Sequence, residues 1–253
     1  MRNHARLAAL LQPYEDLLLE RAQLKKGMAV VDVGCGMGSL TAAVARVCGP
    51  AKVCGVDISE PMLCAARAAC PTLRLLDADA QTWTPSEPVD RVLSRFGVMF
   101  FPDPAAAFAN MRGWLGDGGR FVALVWRAMA HNPWIRDAVE VFERHVSTPS
   151  YAPGGPGPWS LADRDALAAL LHESGFGAVE IEAQSLTLRV QGDAEAALNY
   201  YCEWSPSARL FEAADAEQSA ALRRDFEALV AGSFDGAGID LGSSVWVVSA
   251  SAG

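Results

Sequence analysis

The chain has 253 residues, 51% of them hydrophobic, with 21 basic against 30 acidic side chains and a formal net charge of -9, enough for one domain with a substantial core or one domain plus a small cap. The acidic balance, with no basic run longer than Lys25-Lys26, argues against a duplex-binding surface and so against nucleic acid as a partner. No apolar run reaches the roughly 18 residues that span a bilayer, and Met1-Arg2-Asn3-His4 leads into a charged amphipathic stretch, so membrane insertion is excluded and a cytoplasmic location is expected.

Leu7, Leu10, Leu11, Tyr14, Leu17, Leu18 and Leu24 recur near helical spacing, which predicts one helix over about 3–24, or two split at Pro13. Gly27 precedes an apolar strand ending at Val33, followed by a turn with Gly34, Gly36 and Gly38 and a helix from Ser39 to about residue 48, closed by Gly49-Pro50. Three glycines let the backbone turn tightly and approach a ligand without β-carbons in the way. A dinucleotide fingerprint reads GxGxxG, whereas this turn reads GxGxG with Ser39 where the last glycine would stand. Asp32, two residues before Gly34, is awkward for a pyrophosphate but suits a ligand carrying an ammonium and a sulfonium, as S-adenosylmethionine does. Cys35 in the same turn reads as a small filler or, in a sharper reading, a nucleophile.

The pattern repeats: Lys52–Ser59 is a strand carrying Asp57, and Pro61 begins a helix to about Ala69. Asp57 lies 19 residues after Gly38, close to where an acid at the end of a second strand binds a ribose diol. A short strand at 73–76 leads to Asp77-Ala78-Asp79-Ala80-Gln81, where Asp79 could take the adenine amine or simply belong to an acidic turn. A strand over 89–94 runs into Arg95-Phe96-Gly97-Val98-Met99-Phe100-Phe101, whose large apolar residues suit a substrate pocket or the core. A helix over about 104–115, ended at Gly116–Gly119, precedes a strand over 120–126. Strands and helices alternate without a hairpin signal, which predicts parallel strands joined by right-handed crossovers, with the ligand beyond their carboxyl ends.

The second half differs. Residues 127–160 contain His131-Asn132-Pro133-Trp134, an amphipathic stretch to Val146 and the Pro/Gly-rich segment Tyr151–Pro158. A helix over 161–173, a strand over 178–190, helices over 194–201 and about 212–231, and a last strand over 244–249 follow. We read 127–160 and 191–243 as cap insertions. Cys35, Cys48, Cys54, Cys64, Cys70 and Cys202 lack metal-ligand spacing and read as reduced packing residues, so no metal is expected.

Val31-Asp-Val-Gly-Cys-Gly-Met-Gly38, Gly55-Val-Asp-Ile-Ser-Glu-Pro-Met-Leu63, Asp79-Ala-Gln81, Ser94-Arg-Phe-Gly-Val-Met-Phe-Phe101 and Gly118-Gly-Arg-Phe121, taken in order, resemble the class I S-adenosylmethionine-dependent methyltransferases, most closely the ubiquinone/menaquinone-biosynthesis (type 11) branch. The resemblance covers about residue 4 to the C-terminus. It implies a single α/β domain over 1–253 with a Rossmann-like, mostly parallel seven-stranded sheet in the order 3-2-1-4-5-7-6, strand 7 antiparallel, and helical cap insertions. It also implies roles: Asp32 and the turn Gly34, Cys35, Gly36 and Gly38 beside the methionine moiety, and Asp57 on the ribose. Ile58 and Met62 would lie near the adenine, Asp79 and Ala80 at its amine, and Ser94 or Arg95 near the amino acid end. Arg91 departs from the family, which more often has an apolar residue there. Related chains often carry a longer segment before the first helix, so the cover of the site is expected to be short or supplied by a partner subunit, as in a homodimer.

The expected reaction is methyl transfer from S-adenosylmethionine, leaving S-adenosylhomocysteine, to O, N or C of a small, largely apolar acceptor, aromatic metabolites included. His131 is the candidate base, against a surface or structural role. Tyr14, Phe96, Met99, Phe100, Tyr200 and Tyr201 are the candidate pocket residues, against ordinary core roles. The alternatives are a cofactor-retaining cyclase or isomerase, a non-catalytic cofactor-binding module and, last, an NAD-dependent enzyme.

Overall fold

The computed structural model describes residues 2–146, 155–204, 211 and 214–252, with side chains described from residue 9 onward except that of residue 204. The expected segment Tyr151–Gly154 and the expected helical start at Glu212-Ala213 lie outside that set.

Helix α1 spans Arg2–Ala22 and is one continuous helix, because Leu10, Tyr14, Leu18 and Ala22 form a buried stripe at four-residue spacing that runs through Pro13. Strand β1 (Val30–Val33) is buried at every position and is followed by α2 (Ser39–Cys48), β2 (Val53–Asp57), α3 (Glu60–Ala69) and β3 (Arg74–Asp77). Strand β4 (Val89–Arg95), α4 (Pro104–Trp114) and β5 (Leu115–Trp126) complete the first half. Proline at the first turn and the Asp103 side chain accepting from Ala106 N at 3.0 Å start α4. Then come α5 (Pro133–Glu143), α6 (Arg164–Glu173), β6 (Gly177–Gln191), α7 (Ala194–Asn199), a π turn (Tyr200–Trp204), α8 (Ala216–Ser233) and β7 (Gly238–Ser251).

The seven strands lie in the order β3-β2-β1-β4-β5-β7-β6. β1 pairs in parallel with β2 and β4, β4 with β5, and β7 runs antiparallel to β5 from Arg120↔Ser251 to Trp126↔Val245. This is the expected sheet. Three details differ from the sequence reading. The last strand, read over 244–249, begins at Gly238, inside the stretch 191–243 read as a cap insertion. Gly116–Gly119 does not separate a helix from a strand but bulges inside β5, where the register slips between Val89↔Leu115 and Arg91↔Arg120. Arg91, the family departure, caps a helix: Nε donates to Ala22 O at the end of α1 at 2.9 Å and Nη1 to Asp90 O at 2.7 Å.

The chain divides into two compact units. The larger holds Tyr14–Arg127, Pro153–Gln184 and Val245–Gly253; the smaller holds Met1–Pro13, Ala128–Ala152 and Ser185–Ser244. Among the described residues no helix is long and apolar enough to cross a membrane.

Candidate functional site

In the larger unit a cavity of about 460 Å³ opens at the carboxyl ends of β1, β2 and β4, where Val33, Asp57 and Arg95 are the last strand residues. That is the position an open α/β sheet offers a ligand, and the size suits a nucleoside.

The glycine turn forms one wall. Gly34, Gly36 and Gly38 have φ of 70°, 52° and 77°, a region that favours glycine. The backbone N–H groups of Gly34 and Cys35 both donate to Val56 O, at 2.9 and 3.1 Å, which pins the turn to β2. Across it, a β-carbon on Gly97 would lie 2.6 Å from Val33 O and 2.7 Å from Gly34 Cα. Two backbones therefore touch at this point. Ser94 holds the approach: its Oγ donates to Val33 O at 2.8 Å and accepts from Gly97 N and Val98 N at 3.1 and 3.2 Å.

Asp57 is oriented by the same turn. Gly36 N donates to Oδ2 and Ser59 N to Oδ1, both at 2.8 Å, leaving acceptor capacity on each oxygen for a pair of hydroxyls. Asp79 accepts from Gln81 N at 2.8 Å, and Asn110 Nδ2 holds the loop by donating to Ala80 O and Trp83 O at 2.9 and 2.8 Å. Gln81 Oε1 accepts from Asp103 N at 2.9 Å, joining this loop to the segment after β4. Ile58, Met62, Phe100, Phe101 and Pro102 supply apolar walls for a flat heterocycle; Ile58 is 74% exposed and Phe100 54%. Phe96 has φ 69°, strained for a side chain of that size, and is held by stacking on Trp126 at 4.2 Å between ring centroids.

Behind the turn lies a cluster of ionisable groups. Asp32 is buried and its Oδ2 accepts from Thr41 Oγ1 at 2.6 Å. Burial pushes its carboxyl up to about 6; the Thr41 hydrogen bond and the Arg95 charge oppose that rise, and the Glu15 and Asp57 charges add to it. Arg95, on the cavity wall, donates from Nη1 to Glu15 Oε2 at 3.1 Å and from Nη2 to Ser39 Oγ at 2.8 Å.

Gly34, Gly36, Asp57, Ile58, Met62, Asp79, Ala80 and Arg95, all expected at a cofactor, line this one cavity, together with Phe96 and Phe100. The others are placed differently. Asp32 and Gly38 lie behind the wall, and the Ser94 hydroxyl is committed to the backbone. Cys35 packs with Leu63, Ala66 and Leu75, and a β-carbon on Gly55 would meet its sulfur at 2.9 Å. Burial pushes that thiol well above its ordinary value, so it is a filler and not a nucleophile. Tyr14 packs in the core, edge-on to Phe96 and Trp126, and the Met99 sulfur accepts from Trp126 N, so neither lines the cavity.

Three candidates belong to the smaller unit. Tyr200 and Tyr201 are buried in an aromatic cluster, Tyr201 stacked on Phe226 at 4.8 Å. His131 is exposed in the turn Met129–His131, whereas its neighbour Asn132 is buried and accepts from Ser244 N and Trp134 Nε1 at 2.9 and 3.2 Å. In that loop the asparagine is the structural anchor.

Sequence reading passed over Glu15, Ser39, Gly97 and the bridging role of Gln81. Glu15 had a signal: it sits four residues from Leu11 and three from Leu18, on the apolar stripe of α1, where a carboxylate needs a buried partner. Gly97 had none, because a close approach of two chain segments far apart in sequence leaves no local pattern.

Residues 30–119 match the family described as "Methyltransferase domain". Trans-aconitate 2-methyltransferase of Azoarcus sp. is 37% identical over 102 residues, which is 40% of this chain and 40% of that protein; the match thus spans two fifths of the relative's length. A candidate methyltransferase from Bacillus halodurans superimposes with a TM-score of 0.61 over 94% of this chain and 98% of its own, at 18% identity. The [4+2]-cyclase SpnF does so with 0.54 over 94% of this chain and 79% of its own, also at 18% identity. At that identity the two structures speak for the fold alone. Residues 30–119 are thus similar to a methyltransferase domain, and the seven-stranded sheet around them has the fold of the solved structure from Bacillus halodurans.

Proposed function

We propose that the chain is an S-adenosylmethionine-dependent methyltransferase acting on a small molecule, with S-adenosylhomocysteine as the second product and no metal required. The observation that carries this reading is the Asp57 carboxylate, fixed by Gly36 N and Ser59 N at the mouth of the cavity and free to take a ribose diol. The remaining donor set fits the same ligand. Asp79 offers an acceptor to an exocyclic amine, Ile58, Met62 and Phe100 offer apolar surface to a purine, and Arg95 offers unused N–H groups to a carboxylate.

When bound, S-adenosylmethionine supplies a methyl group on a sulfonium, whose departure leaves a neutral thioether. An acceptor lone pair forms the new bond, and a proton must leave only if the attacking atom carries one. The protein's part is then to hold the two partners in line and exclude water, and a base is optional. The name of the Azoarcus relative makes small carboxylic acids the first acceptors to test, ahead of the apolar and aromatic ring acceptors suggested by the ubiquinone/menaquinone-type motifs; a carboxylate needs no base.

Calorimetry with S-adenosylmethionine and S-adenosylhomocysteine tests the reading, and folded protein that binds neither ends it. Product mass from an acceptor panel then separates methyl transfer, which adds one CH2 equivalent, from a cyclisation, which adds nothing. The second reading is worth that arm because the [4+2]-cyclase shares the fold.

A further inference from the structure

Around the glycine turn the Asp32 carboxylate feels two others, Glu15 and Asp57, and one guanidinium, that of Arg95, which itself pairs with Glu15. Glu15 and Asp32 are 4% and 1% exposed, so these charges are held out of water by design of the packing and must be satisfied locally. Arg95 is the hinge of the arrangement. One of its nitrogens is bound by Glu15 from α1, another by Ser39 at the start of α2, and the side chain forms part of the cavity wall. Two of its five N–H groups are used in this way, and the planar fork keeps the others in fixed directions. Left with Ser39 alone, the guanidinium could swing about one hydrogen bond.

We propose that Glu15 is a positioning residue of the cofactor site, fixing the Arg95 guanidinium at the cavity wall through the Nη1–Oε2 hydrogen bond. The proposal rests on the cofactor reading above. It assigns to α1 a part in ligand binding through a residue that touches no ligand itself. The groups facing Asp32 are Glu15 from α1, Arg95 from β4, Asp57 and Cys54 from β2, Cys35 from the turn and Thr41 from α2. Removing the Glu15 charge therefore eases ionisation of Asp32, whereas removing the Arg95 charge hinders it.

The test is calorimetric titration of S-adenosylhomocysteine into wild type, Glu15→Ala, Glu15→Gln and Arg95→Gln between pH 5 and 8, with circular dichroism confirming the fold. Glu15→Ala is expected to weaken binding about tenfold, as loss of a buried charge-assisted hydrogen bond does. Glu15→Gln, which keeps an acceptor for Nη1, should recover most of that loss. The acid limb of the binding curve should move to lower pH in Glu15→Gln and to higher pH in Arg95→Gln. Binding by a folded Glu15→Ala within twofold of wild type overturns the proposal, as does a Glu15→Gln that binds as weakly as Glu15→Ala. If Glu15→Ala does not fold, an acid limb that stays in place in Glu15→Gln overturns it. Wild type that binds neither S-adenosylhomocysteine nor S-adenosylmethionine instead removes the cofactor reading itself.

Discussion

In the larger unit the buried carboxylates Glu15 and Asp32 stand with the half-buried Asp57 and Arg95 at the glycine turn, while buried Arg91 lies apart at the end of α1. In the smaller unit the ion pairs Arg189–Asp235, Arg223–Glu195 and His145–Asp225 lie toward solvent, while the interior holds the rings of Phe142, Tyr200, Tyr201, Phe211 and Phe226 and, as buried polar residues, the uncharged Asn132, Ser243 and Ser244. Surface pairs of that kind contribute little, and packed rings contribute much. A carboxylate out of water destabilises a fold unless it is paired. The larger unit thus carries a polar arrangement that lowers stability and suits a charged ligand, and the smaller unit is built for packing.

Four substitutions sharpen or break this contrast, taken from the largest effect to the smallest. Phe226→Ala opens the ring cluster at a fully buried position and should cost about 4 kcal/mol in chemical denaturation, with S-adenosylhomocysteine affinity within twofold of wild type. An equal loss of affinity would show that the smaller unit does more than pack. Gly97→Ala places a methyl against the Val33 carbonyl and the Gly34 backbone, neither of which can yield as a side chain would. Calorimetry should register a loss of affinity of about a hundredfold, or about 2.7 kcal/mol.

Asp32→Asn should do the reverse of most core substitutions. With its carboxyl pushed up to about 6 from the ordinary 3.8, the folded wild type keeps a proton that the unfolded chain has lost, so stability falls as pH rises through that window. Between pH 4 and pH 7 this amounts to about 2 kcal/mol, and the neutral amide lacks it. Wild type and variant compared in denaturant at pH 4 and pH 7 should therefore diverge, the variant gaining at pH 7 while losing cofactor affinity. Parallel stabilities at the two pH values would refute the assignment. Cys35→Ala, the mildest, removes one sulfur from a small apolar cluster and should cost about 1 kcal/mol while leaving the proposed methyl transfer intact; loss of turnover with binding preserved would restore the nucleophile reading.

Much of this protein follows from local chemistry. The strand ending at Val33, the glycine turn, Asp57 at the end of the second strand and the repeated alternation of strand and helix are short-range patterns, set by hydrogen-bond geometry and side-chain period, and so they could be read residue by residue. The order of the strands and the antiparallel last strand came through the family resemblance, and the sheet agrees. What only the tertiary structure decided is which side chains meet. Gly97 reaches Gly34 over 63 positions, Glu15 reaches Arg95 over 80, and Arg91 turns from an anomaly in a strand into the cap of α1. It likewise turned Tyr14 and Met99 from pocket candidates into core, and it gave Cys35, already readable as a small filler, its apolar partners Leu63, Ala66 and Leu75. Burial and pairing are properties of surroundings assembled from distant segments, and a carboxylate has no raised pKa until those surroundings close around it.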